Sequence, residues 1–210
     1  MEHGYPGGAS ERRQRILEAT ERLLRRYGPA KTTVADIARE AEIAVGAVYL
    51  EFASKDAIVE ELSQGEHRAV MAAMRAAAAR DDVPFCDRLR AVFDARARAF
   101  LELAGSGAHA CDLVHCQSRA VKAAHARFLD EERALLRDLV ARGAGAGELD
   151  AADPELTARA LLRAYASFAP PWLFQSSREE VEAMLSAVHR IVLYGLVGRE
   201  PARAARKPER

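Results

Sequence analysis

The sequence predicts an all-α chain of nine helices with no strand. Three observations carry this. The 210 residues include 44 Ala but only 23 Val, Ile and Thr together, a balance that favours helix and starves a sheet. Apolar residues recur at helical spacing through every long segment. Gly, Pro and capping residues fall between those segments rather than within them. Half of the residues are hydrophobic and 30% are charged, the balance of a folded globular chain. Basic and acidic residues number 31 each, so a bulk polycation that coats nucleic acid is excluded.

The elements follow in order. Residues 1–9, with three Gly and a Pro, read as a loose arm. Ser10 caps a helix to about Tyr27 on the stripe Ile16, Leu17, Thr20, Leu23, Leu24, and Gly28-Pro29 stops it. Thr33 and Asp36 form a capping-box-like pair for a short helix presenting Val34, Ile37, Ala38 and Ala41 inward. After a tight turn, a third short helix carries Val45, Val48, Tyr49 and Phe52. Ser54 caps a long helix to about Arg80, and Pro84 opens a fifth that ends near Ala104. GSG at 105–107 reads as a flexible joint and 108–117 as a short helix. A long helix over 118–142 ends at Gly143, with GAGAG at 143–147 as a loop. Asp153-Pro154 starts a helix that must end by Ala169, because Pro170-Pro171 cannot continue it. Ser177 and Glu180 box the last helix, to about Val197, and 199–210 is a basic, mobile tail.

The segment TVADIAREAEIAVGAVYLEFASKDAI at 33–58 has the layout of a helix-turn-helix, whose second helix enters the DNA major groove. Ala38 is small where the two helices cross. Gly46 removes a side chain where backbone would approach a phosphate or base edge. Tyr49 and Lys55 suit phosphate contact, and Arg12, Arg13 and Arg15 add basic reach. Residues 1–60 hold nine basic and ten acidic groups, so attraction to DNA must come from placement: Arg12, Arg13, Arg39 and Lys55 toward it, most acids away.

The run Thr33, Val34, Ile37, Ala38, Ala41, Ile43, Gly46, Val48, Tyr49, Phe52, Ser54, Lys55, Asp56 and Ile58 resembles, in identity and spacing, the signature of the TetR/AcrR family of bacterial transcriptional regulators. Ala44 stands where that family usually has Ser, and Glu51 where His or Tyr is common. The resemblance implies a DNA-binding domain over 1–53, a six-helix ligand-binding and dimerisation domain over 54–198, and the tail 199–210. The DNA-facing set is then Arg12, Thr33, Ala44, Val45, Gly46, Ala47, Tyr49, Leu50 and Lys55.

The rest of the chain shows no enzyme signature: no dinucleotide loop, no HExxH and no GxSxG. Met71, Met74, Phe93, Arg96, Phe100, Leu113, His115, Phe128, Tyr165 and Phe168 are candidates to line a ligand pocket, and the same side chains would serve a plain core. His109, Cys111, His115 and Cys116 could be a partial metal chelate, a thiol pair or ordinary half-buried side chains. A closed zinc site wants four well-spaced ligands, so no metal or cofactor is expected. Leu161, Phe168, Trp172, Val181, Met184, Leu185, Val188, Ile191 and Val192 form a stripe broad enough for a two-fold dimer interface.

The expectation is a cytoplasmic homodimer without enzymatic activity. It would repress by holding a near-palindromic double-stranded operator until a small effector releases it, with no membrane partner. The alternatives are an activator or effector-free regulator, and, further off, a helical ligand carrier or enzyme that borrowed the head.

Overall fold

The computed structural model describes residues 7–195, with side chains from Ser10 onward. These residues form eight α-helices and three short 3-10 turns, with no strand among them. The arm over 1–6, any helix beyond Gly195 and the tail 199–210 lie outside the described residues. No described helix is long and apolar enough to cross a membrane.

Helices α1 (Gly7–Tyr27), α2 (Val34–Glu40) and α3 (Val45–Glu51) surround Ile16, Ile37, Ala38, Val48 and Phe52, and Ile58 of the next helix joins this core. Helix α1 begins at Gly7, ahead of Ser10, so Ser10 does not cap it. It ends at Gly28, where φ is +76°. The box at Thr33 forms as expected: its hydroxyl accepts from the Asp36 amide, and the Asp36 carboxylate accepts from the Thr33 amide. The turn between α2 and α3 needs one left-handed residue, and Glu42 supplies it at φ +55°.

The body packs α4 (Lys55–Ala78) against α5 (Phe85–Ala104) and α6 (Arg119–Gly145), with α7 (Pro154–Ala164) on α6 and α8 (Arg178–Tyr194) on α5. Ser54, Asp153 and Ser177 each accept a first-turn amide, as their positions require. Pro84 stands just before the first residue of α5 rather than within its first turn. Val92, Phe93, Phe100, Met74, Leu136 and Tyr165 fill the main core. A smaller cluster of Leu24, Val59, Leu113, Ala120 and Val121 joins head to body.

Three local expectations are corrected. Residues 108–117 hold only a 3-10 turn, Ala110–Leu113. The cause is docking: the His109 amide donates to the Arg25 carbonyl at 3.1 Å, so this stretch is tied to the end of α1. For the same reason 105–107 is no loose joint, since a Cβ on Gly107 would stand 3.0 Å from the Arg25 Cβ. The GAGAG run is helical through Gly145. A Cβ on Gly143 would meet Leu149 at 2.5 Å and the Phe85 Cβ at 3.0 Å, so glycine there permits close packing. Gly143→Ala is expected to cost about 1–3 kcal/mol in urea unfolding despite the better helix propensity of Ala. The helix from Pro154 ends before Ala169, as Pro170-Pro171 requires: it stops at Ala164 and gives way to turns at Ala166–Phe168 and Trp172–Gln175, with a cis bond between Pro170 and Pro171.

Candidate functional site

Helix α3 buries Val48 and turns its other face outward. Tyr49 is 55% and Leu50 78% exposed, Val45, Gly46 and Ala44 are also exposed, and Ala47 is half-buried. Nothing lies within 4 Å of where a Gly46 Cβ would stand. Ala44 precedes α3 without a side-chain cap, as the loss of the usual Ser requires. The exposed face therefore offers small apolar groups and one phenol. The α3 sequence VGAVYLE contains no Arg, Lys, Asn or Gln to make a bidentate base contact.

The head's cations are placed differently from the expectation. Arg12 donates to the Glu51 carboxylate, and Arg13 bonds Glu61 and the Glu51 carbonyl while lying 4.0 Å over the Phe52 ring. Glu51 is thus neutralised by Arg12 and turned aside, which explains how a carboxylate is tolerated at that position. Arg39 pairs with Asp36, and Arg15 donates to the Ala41 carbonyl that closes α2. Lys55 donates to the Pro29 and Thr32 carbonyls at 2.8 and 3.0 Å. Two of its three N–H groups hold the α1–α2 connector, so Lys55 acts first as a brace. Thr33 is committed to its capping box. Lys55→Ala is accordingly expected to loosen 29–33, visible as faster amide exchange there, besides any loss of a phosphate contact.

In the body, sequence reasoning missed Glu132. It is 0% exposed on α6, and its Oε1 lies 2.7 Å from Nε of the equally buried Arg96 on α5. The geometry is close but misaligned. Nε and Nη1 of Arg96 and both Glu132 oxygens lack a hydrogen-bond partner among the described residues. Burial pushes the guanidinium pKa down and the carboxyl pKa up, and the attraction between them opposes both shifts. The pair borders a cleft of about 610 Å³ reached between α6 and α7, walled by Phe128, Leu129, Leu162 and Trp172 and rimmed by Arg133, Arg159 and Arg163.

Of the ten candidate pocket residues, only Arg96 and Phe128 line this cleft. Met71, Met74, Phe93, Phe100, Tyr165 and Phe168 are packed in the main core, where the Phe93 and Tyr165 rings stack at 3.8 Å. Leu113 belongs to the cluster joining head and body, and His115 is exposed. Tyr165 donates to His189 at 2.8 Å, and His189 in turn donates to Asp94 at 2.9 Å, a chain that fastens α8 to α5.

His109 contacts Asp112, while burial raises the pKa of both half-buried thiols, Cys111 and Cys116, away from the reactive thiolate. Among the described residues no group of three or more His, Cys, Asp or Glu gathers as a metal would need.

His67 is held neutral. Its Nδ1–H donates to the Ser63 carbonyl at 2.8 Å, its Nε2 accepts from His125 at 3.3 Å, and its ring packs on Phe128. Burial lowers its pKa to about 4; the Ser63 bond opposes this, and the neighbouring His125 adds a smaller lowering. The lowered value means that stability present above the unfolded-state pKa of about 6.5 is lost as pH falls towards 4. A loss of about 3 kcal/mol is expected between urea unfolding at pH 7 and at pH 4, and a smaller one in His67→Phe.

The C-terminal stripe divides. Leu161, Phe168, Val181 and Leu185 are buried in the chain's own core, which corrects their expected outward role. Met184, Ile191 and Trp172 are exposed, with Val188 and Val192 half-buried beside them.

Residues 16–62 match the model for bacterial regulatory proteins of the tetR family, and residues 86–189 match the tetracyclin repressor-like C-terminal domain. The HTH-type transcriptional regulator TtgR of Pseudomonas putida is 32% identical over 155 residues, 68% of this chain and 72% of that protein. This chain belongs to the tetR family. As a member it is a DNA-binding transcriptional regulator. Solved tetR-family folds agree with its architecture. A TetR/AcrR regulator from Thermobifida fusca superposes at a TM-score of 0.68 with 22% identity, covering 90% of this chain and all of that one. FadR of Bacillus subtilis, solved in complex with stearoyl-CoA, superposes at 0.66 with 18% identity, covering 88% and 99%.

Proposed function

We propose that the chain is a homodimeric cytoplasmic repressor that grips a near-palindromic operator and is released by a small effector bound in the body. The observation that carries this is the pairing of two features: an exposed, DNA-competent α3 at one end and a cleft floored by an unsatisfied buried ion pair in the body. TtgR, a named transcriptional regulator, and FadR, solved with an acyl-CoA, support a regulator of this kind. Helix α3 reads DNA mainly by apolar contact of Val45, Ala47 and Leu50 with thymine methyl groups, while Tyr49 takes a phosphate. Because Arg12 and Arg39 are already paired within the head, and Arg13 with Glu61 of α4, the salt dependence of binding is shallow for a dimer.

The two copies meet along the exposed Met184 and Ile191, with the half-buried Val188 between them. A Met184→Glu/Ile191→Glu chain is expected to sediment as a folded monomer, because both positions are exposed in one copy and lose only the partner. Its operator affinity should fall at least about ten-fold, since one head alone cannot hold two half-sites. A variant that stays dimeric would place the interface elsewhere. Effector-driven release is tested by titrating small molecules into the protein–operator complex and following the free DNA.

A further inference from the structure

We propose that the cleft between α6 and α7 binds an amphipathic organic anion: an acid group at the rim, an apolar middle, and a neutral hydrogen-bonding group at the inner end. The proposal names the effector class of the regulator described above, and so rests on that reading for its role in release but not for binding itself.

The rim carries three guanidiniums against the single carboxylate of Asp130. Arg133 is occupied by Asp130 at 3.1 Å and Glu155 at 3.8 Å. Arg159 and Arg163, one turn apart on α7, form no ion pair among the described residues, so they are the cations open to a ligand. Between rim and floor, Phe128, Leu162 and Trp172 provide an apolar passage. At the floor stand a donor and an acceptor, Arg96 and Glu132, neither aligned with the other. Leaving such buried groups unmade is costly, and a core built only for stability would fill the site with apolar side chains. A second acid group cannot go there, because Glu132 would repel it. A hydroxyl can, once the two side chains part to admit it: its oxygen accepts from Arg96 Nη1 while its proton goes to Glu132 Oε2.

The test uses the full-length protein and ω-hydroxyalkanoates of about six to twelve carbons, with the alkanoate and the diol of each length as comparisons. Trp172 is the only tryptophan of the chain and lines the cleft, so its emission reports binding directly, and calorimetry gives the affinity. The tightest hydroxy acid is expected to bind about ten-fold or more tightly than either its diol or its alkanoate. Arg159→Ala/Arg163→Ala alters two exposed positions and should leave the fold intact. It is expected to lose about ten-fold for the acid and little for the diol. A diol or an alkanoate as tight as the hydroxy acid, an unaffected double variant, or no change in Trp172 emission below about 1 mM would each overturn the assignment. A molecule that frees the operator equally well from wild type and double variant, without altering Trp172, would sink this site and leave the regulator standing.

Discussion

Arg96→Met alone is expected to cost about 3–5 kcal/mol in urea unfolding, and Glu132→Gln nearly as much, while Arg96→Met/Glu132→Met recovers most of the loss. Each single change strands the other group in the core, where Arg96 is 3% and Glu132 0% exposed. The double change leaves side chains of similar bulk with no charge to desolvate. Near-complete recovery would show that the pair contributes little net stability. Two large losses that simply add would mean that the two groups are not coupled, contrary to their 2.7 Å separation.

Gly46→Glu is expected to abolish operator binding, at least about a hundred-fold, while leaving the head folded. Space for the side chain exists on the protein, since nothing lies within 4 Å of the Cβ position. That space is what the DNA would occupy, and a carboxylate there faces phosphate. Gly46→Ala separates the two effects further. It should raise stability by up to about 1 kcal/mol through helix propensity, and still weaken binding. Unchanged affinity in both variants would move α3 away from the groove.

The head was legible because its information is local. Thr33 with Asp36, Ala38 at the crossing, Gly46 and Ser54 each do a job defined by neighbours within a turn or two, and spacing alone reveals it. The head's cations were not legible. Arg12 and Lys55 have the composition of DNA contacts, but their partners, Glu51 and the carbonyls of Pro29 and Thr32, lie 39, 26 and 23 residues away. In the body, Glu132 was overlooked because a glutamate on a long helix is usually solvated. A signal existed: it sits on the four-residue stripe Ala124, Phe128, Leu136, Val140, all buried. Arg96, between Val92 and Phe100, carried the same signal and was found. The stretch 108–117 failed as a helix because its backbone bonds outward to Arg25, a tertiary contact that periodicity does not encode.

The central claim, a tetR-family regulator whose exposed α3 grips DNA, is tested most directly by a mobility shift with the DNA upstream of its own coding sequence, wild type beside Gly46→Glu. A discrete retarded complex is expected for wild type at sub-micromolar protein, resistant to excess unrelated DNA, and none for Gly46→Glu. No specific complex for folded wild-type protein, or the same complex for both, would contradict it.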